Sequence, residues 1–232
     1  MTTTYDGTNY FGSQIQKETQ NTIFGAINKV LSALNIDAKA VASGRTDKGV
    51  HATGQVFHVD IPHFWQDLKK LKKACNTMLP KSIRITRIRE VETTFHARYS
   101  AKKRSYRYII KEASSYPFAE NYVTFLSDVN FPNIQKNIKI FEGQHDFKNF
   151  MKTGSETQSS VRIIYKTFAY RHKGYIILYF EANGFLRSQI RMMVGSLLSL
   201  SAKEIDDKLH LTKNHKVKPA PANGLYLAKI KY

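Results

Sequence analysis

Among the side chains able to do chemistry, one short run stands out: Gly44-Arg45-Thr46-Asp47-Lys48-Gly49 sets a carboxylate between two cations and two glycines. Flanking positive charge favours the ionised form of a carboxyl group, and an ionised carboxylate serves as a nucleophile or a general base. Glycines on both sides permit a tight backbone path that aims one side chain into a cleft. Taken alone, the segment reads more simply as an Asx-turn with solvated charges. What moves Asp47 off that reading is the rest of the chain.

Other candidates fall away. Cys75 is the sole cysteine, which excludes an internal disulfide and a thiolate metal cluster. It shares a helical face with Leu68, Leu71 and Met78, so a buried core thiol is expected rather than a nucleophile. His145-Asp146 reads as a structural histidine near a turn. The sequence contains no Gly-x-x-x-x-Gly-Lys-Ser/Thr loop, no dinucleotide fingerprint, no His-Glu-x-x-His and no Gly-x-Ser-x-Gly elbow. The eight histidines show no zinc-like spacing. Catalysis, if present, is expected to run on side chains alone, with neither metal nor organic cofactor.

The charge points to a polyanion. Against 18 acidic residues stand 36 basic ones, net +18 over 232 residues. Nucleic acid is the simplest partner for such a surface and an anionic membrane the second. No apolar run approaches a membrane span and no leader pattern opens the chain, so a soluble cytoplasmic protein is expected. Residues 96–232 hold 23 basic and 10 acidic groups, against 13 and 8 in residues 1–95, which places the polyanion surface mainly on the second half. There Lys102-Lys103-Arg104-Ser105-Tyr106-Arg107-Tyr108 interleaves cations with aromatics, a combination suited to phosphate neutralisation and base stacking. A solvated edge strand with gatekeeper lysines explains the same residues.

The elements that must position these groups alternate in type. A short strand ends near Tyr5. A helix follows with Ile23, Ile27, Val30, Leu31 and Leu34 on one face, capped by Asn21 or Thr22. Strands are expected over 39–43 and 55–61, a lysine-rich helix over 68–79 ending at Pro80, and a strand through Ile83, Ile85 and Ile88. The second half predicts strands over 95–101, 104–111, 161–170 and 175–182, helices over 134–141 and 186–200, and a final strand over 225–232. Adjacent strands with interspersed helices predict an α+β fold with an antiparallel sheet. The halves are 1–94, carrying the Asp47 loop, and 95–232, the more basic one.

Several of these segments carry a resemblance. Tyr5-Asp6-Gly7-Thr8-Asn9-Tyr10-Phe11-Gly12, Gly44-Arg45-Thr46-Asp47-Lys48-Gly49-Val50-His51-Ala52, Phe95-His96-Ala97-Arg98-Tyr99-Ser100-Ala101 and Arg104-Ser105-Tyr106-Arg107-Tyr108 follow one another in order. Gly143-Gln144-His145-Asp146-Phe147, Asn183-Gly184-Phe185-Leu186, Arg191-Met192-Met193-Val194-Gly195, and Ala220-Pro221 with Gly224-Leu225-Tyr226-Leu227 continue the series. In that order, over nearly the whole chain, they resemble the TruA family of tRNA pseudouridine synthases.

The resemblance implies two similar ferredoxin-like halves forming one extended antiparallel sheet, with a central active-site cleft. It implies a homodimer acting on tRNA, with uridines 38, 39 and 40 of the anticodon stem-loop as targets. Asp47 is then the catalytic aspartate, Arg45 its neighbour, Tyr106 the ring against the target base, and Arg191 the arginine that pairs with the aspartate. Attack on C1′, addition to the base and removal of the 2′ proton are all open to such a carboxylate. The chain departs from the family at Lys48, where alanine is common, and at Ser13, where tryptophan is usual. Arg187-Ser188-Gln189 replaces a common His-His-Met. A non-catalytic RNA-binding module or tRNA chaperone on the same fold is the alternative. It accounts for charge and aromatics but gives no reason for Asp47 and Arg191 together. A nuclease lacks a metal cluster or paired histidines, and a membrane-surface protein lacks a basic amphipathic helix with large aromatics.

Overall fold

The structure is a computed structural model and describes residues 1–154 and 157–232. The chain divides into two compact units, Met1–Lys102 with Tyr226–Tyr232, and Lys103–Leu225. Helices accompany a largely antiparallel sheet in each, as expected for an α+β protein.

The first unit runs β1 (Thr2–Tyr5), α1 (Ile23–Ala33), β2 (Val41–Ala42), β3 (His51–His58), α2 (Leu68–Met78) and β4 (Ile83–Arg87). β1 lies antiparallel to both β4 and β3, and β2 pairs antiparallel with Phe57 and His58 of β3. The strand order 4-1-3-2 makes β1-α1-β2 and β3-α2-β4 two interleaved βαβ units, the ferredoxin-like arrangement. The chain end returns as β10 (Leu225–Lys231), whose Tyr226 and Leu227 pair in parallel with His51 and Ala52.

Local chemistry sets these elements. Thr22 caps α1 by accepting from the Gly25 N–H at 3.1 Å, and Ile23, Phe24, Ile27, Val30 and Leu31 are buried. Asp67 caps α2, which turns its lysines outward and buries Leu71 and Cys75. Burial pushes the Cys75 thiol up to about 11, in line with a core thiol. Met78, expected on the same face, is exposed because α2 ends there.

The second unit runs β5 (Lys103–Glu112), β6 (Thr124–Leu126), α3 (Phe131–Asn137), β7 (Gly143–Asp146), β8 (Val161–His172), β9 (Tyr175–Ala182), α4 (Gln189–Ser199) and α5 (Ala202–Leu209). Its strands lie in the order β5-β9-β8-β7, each antiparallel to the next, while β6 pairs in parallel with β5. β5, β8 and β9 therefore repeat the 1-3-2 part of the first unit. Period-two alternation buries Tyr106, Tyr108 and Ile110 of β5 and Ile176, Leu178 and Phe180 of β9 on one face. The core also takes in Phe141, Phe147 and Phe150, in edge-to-face contact, and Met193, Val194 and Leu197 of α4.

Three differences from the sequence expectations have physical causes. Residues 95–101 form turns rather than a strand: the Ala97 N–H donates to His58 Nδ1 (3.1 Å), and Ala97 O accepts from the Tyr232 hydroxyl (2.9 Å). Those bonds tie the segment to the first unit, so the units divide at Lys102/Lys103 rather than 94/95, and the last seven residues join the first. Counted by unit, the charge is 17 basic against 8 acidic and 19 against 10, which is +9 in each. By that count the net charge does not lean on one unit. The short elements β6, β7 and α5 were not anticipated, having too few residues for a legible period.

Candidate active site

The Asp47 loop fills the connection between β2 and β3, and a buried polar network holds it from beneath. Ser13 and Thr46 are joined twice: the Ser13 N–H donates to Thr46 O at 3.0 Å, and the Thr46 N–H donates to Ser13 Oγ at 2.8 Å. The Tyr5 hydroxyl shares a 2.8 Å hydrogen bond with Thr46 Oγ1. Burial pushes that phenol up to about 12, so it stays protonated at neutral pH. On the loop's other shoulder, Gln55 Nε2 donates to Gly44 O (2.9 Å), while Gln55 Oε1 accepts from Ser43 Oγ (2.7 Å) and the Val56 N–H (3.1 Å). Ser13, Ser43, Thr46 and Gln55 are all buried. A polar network inside the fold is rigid only when every member is satisfied. Among the described residues no buried side-chain nitrogen or oxygen lacks a partner.

The backbone completes the turn. The Val50 N–H donates to Asp47 O at 3.1 Å, and Gly49 sits at φ +77°. Gly44 does not take positive φ; its part is to offer a carbonyl to Gln55. The second special glycine is Gly12, at φ +93°, where a Cβ would stand 2.8 Å from Thr46 O. The first two sequence motifs are thus one construction, the segment around Gly12 and Ser13 lying directly against Thr46. On this frame Asp47 is half-buried and Arg45 exposed. Lys48, the departure inside the loop, holds its ammonium 4.4 Å from the centre of the Phe11 ring, a cation–π contact. His51, just after the loop, stacks on Tyr226 at 4.7 Å, and its Nδ1 accepts from the Gly7 N–H at 3.1 Å.

Tyr106 and Arg191 belong to the second unit. Tyr106 projects from β5, opposite Phe180 in register, with Phe185 edge-on to its ring at 5.3 Å. Arg191, in the first turn of α4, is half-buried, and its Nε donates to Ala220 O at 2.7 Å. The Ala220 N–H returns a 2.9 Å bond to Arg191 O, so the Arg191 motif and the Ala220-Pro221 motif brace one another. Next to them Tyr108 donates to Pro221 O (2.9 Å); burial raises its phenol to about 12, with Arg191 pulling the other way. Of the departing residues at the start of α4, Gln189 is structural: it is fully buried and its Oε1 accepts the Leu186 N–H at 2.8 Å, whereas Arg187 is exposed. Likewise His145 Nε2 lies 2.9 Å from Glu142 O and Asp146 accepts the Lys148 N–H, a turn-bound pair as expected.

Sequence reasoning missed Tyr5, Ser13, Thr46 and Gln55 as a unit. One signal was present: Gln55 falls in phase with Phe57 on the inward side of β3, where an amide must find partners. Among the described residues no three His, Cys, Asp or Glu side chains gather where they could hold a metal ion, and no helix is long and apolar enough to cross a membrane.

Comparison with known proteins places this construction. A family model described as tRNA pseudouridine synthase matches residues 1–100 and 138–232. The chain belongs to the tRNA pseudouridine synthase family. Relatives named tRNA pseudouridine synthase A cover almost all of it. One from Wolinella succinogenes is 38% identical over 98% of this chain and 92% of its own length. Another from Helicobacter hepaticus is 35% identical over 98% and 96%, and one from Limosilactobacillus reuteri 36% over 100% and 95%. A solved chain titled as a Cbf5-Nop10-Gar1 complex aligns at 13% identity with TM-score 0.41, over 86% of this chain and 45% of that one, too remote to bear on the site. As a member of the pseudouridine synthase family this protein is an isomerase that turns uridine in tRNA into pseudouridine.

Proposed function

We propose that this synthase acts on the anticodon stem-loop, at uridines 38, 39 and 40, with Asp47 as the catalytic nucleophile and Arg45, Tyr106 and Arg191 binding the substrate. The reaction breaks the N1–C1′ bond and forms C5–C1′; the C5 proton passes to solvent and N1 regains one. Nothing is added, so the protein's task is to hold a carboxylate and a flipped base in fixed relation. One observation supports Asp47 above the other carboxylates: its loop is fixed on both shoulders by buried hydrogen bonds while its own side chain stays half-accessible. Extruding the uridine costs a few kcal/mol, and an aromatic ring such as Tyr106 offsets that cost by stacking on the base. Arg191 supplies a planar donor pair that matches a carboxylate. The evenly basic units supply phosphate contacts that are indifferent to sequence, leaving RNA shape to select the region. By the same resemblance the enzyme works as a homodimer in the cytoplasm.

Site-resolved pseudouridine mapping after chemical derivatisation of tRNA tests the reading, because isomerisation leaves mass unchanged. Purified wild type is expected to mark positions 38–40 and to release tritium from C5-labelled uridine, and Asp47→Asn to do neither while still binding tRNA. Continued turnover by the Asn variant would remove Asp47 from its role. Tritium release with marks elsewhere in the tRNA would overturn the site preference alone.

A further inference from the structure

We infer that Ser13 is a positioning residue for catalysis: its hydroxyl sets the backbone from which Asp47 projects. This rests on the reading of Asp47 as the catalytic carboxylate. The Ser13 side chain is 1% exposed, and its Oγ accepts the N–H of Thr46, the residue immediately before Asp47, at 2.8 Å. The same residue's N–H donates to Thr46 O at 3.0 Å, so Thr46 is gripped on both peptide groups by one partner. Gly12, at φ +93°, brings Ser13 close enough to do this. The Tyr5 hydroxyl shares a hydrogen bond with Thr46 Oγ1, a third tie on the residue before Asp47. Ser13 itself is buried beneath the loop and is bonded to its backbone. Its influence on the reaction therefore passes through Thr46 and Asp47.

One backbone bond and one side-chain bond hold Thr46, and only the side-chain bond is open to mutation without disturbing the chain path. Ser13→Ala removes the Oγ acceptor and leaves the Ser13 N–H bond to Thr46 intact. A displacement of the reacting carboxylate on the scale of an ångström lowers turnover on the order of 10–100-fold. Substrate binding, spread over many phosphate contacts, is left nearly unchanged.

The test combines steady-state kinetics on tRNA with amide hydrogen exchange of the free protein. Ser13→Ala is expected to lower kcat on the order of tenfold or more with KM for tRNA within about twofold. Ser13→Cys, close in size but a weak acceptor, falls in the same direction, and Ser13→Thr, which restores a hydroxyl, recovers most of the rate. In exchange, protection of the Thr46 amide drops on the order of tenfold in the alanine and cysteine variants, while amides of β9 keep theirs. Unchanged kcat together with unchanged Thr46 protection in either variant would overturn the inference. So would a loss confined to KM, or a uniform loss of protection across both units, which would mark a merely structural serine. If wild-type protein shows no turnover on tRNA, the isomerase reading fails by itself; the Thr46 exchange result then still decides whether Ser13 fixes the loop.

Discussion

The two units carry the same strand pattern and put opposite things at the same place in it. In the first, the link between the second and third strands of the pattern, β2 and β3, is the eight-residue Asp47 loop with its buried network. In the second, the corresponding strands β8 and β9 are joined by Lys173-Gly174 alone, both at positive φ (48° and 77°), with His172 opposite Tyr175. That is the primed two-residue turn whose twist suits a hairpin. A hairpin turn of this kind is closed by backbone geometry and has no interior. A loop of eight residues needs side chains to hold its conformation: Ser13 and Gln55 bond its backbone, and Tyr5 and Ser43 bond side chains of the same network. The candidate carboxylate thus sits in what was inserted into a repeated scaffold, not in the scaffold itself.

The contrast can be broken at several points. Replacing Asp47 by Asn has the largest expected effect, a fall in turnover of at least about 10³-fold, with tRNA affinity within about threefold because phosphate contacts dominate binding; filter binding and tritium release measure the two. Next, Gly12→Ala puts a Cβ 2.8 Å from Thr46 O at a left-handed residue. It is expected to cost about 1–3 kcal/mol in urea unfolding and to depress kcat, because the displaced atom belongs to the loop. Gly174→Ala sharpens the comparison. Its φ is equally unfavourable, but its nearest neighbour is the Lys111 Nζ, the far end of a flexible side chain. A loss of about 1 kcal/mol without a change in kcat is expected. Equal kinetic effects of the two glycine variants would erase the distinction between loop and hairpin.

The smallest effect concerns pH. His58, at the end of β3, has its imidazole held below the ordinary histidine value, first by burial and then by the neighbouring His96. Its Nδ1 accepts from the Ala97 N–H, which requires an unprotonated nitrogen. The folded state therefore binds fewer protons here than the unfolded chain, so this contribution is fully present above the unfolded value near 6.5 and is lost as pH falls below it. Thermal melts at pH 7.5 and 5.5 are expected to show a smaller acid loss in His58→Asn than in wild type. An identical loss in both would place the acid sensitivity elsewhere.

Legibility followed the physics of burial. β9 was bounded correctly at 175–182, and α1 was visible with its cap at Asn21 or Thr22, because one face of each is buried and the period survives in the sequence; the fold decides for Thr22. The turns over 95–101 imitate a strand in their alternating aromatics, yet their partners, His58 and Tyr232, are distant in the chain. Serine, threonine and glutamine are surface residues by composition, so a network built from them is silent until the fold brings positions 5, 13, 46 and 55 together.

By itself the sequence determined the α+β class and the family, and singled out Asp47 as the candidate, because periodic burial and ordered motifs are written along the chain. Only the tertiary structure decided that Ser13, Tyr5 and Gln55 underpin the loop, and that the positive charge is shared equally between units. Hydrogen-bond satisfaction is a property of atoms adjacent in space, and residues far apart in the chain reveal it only after folding.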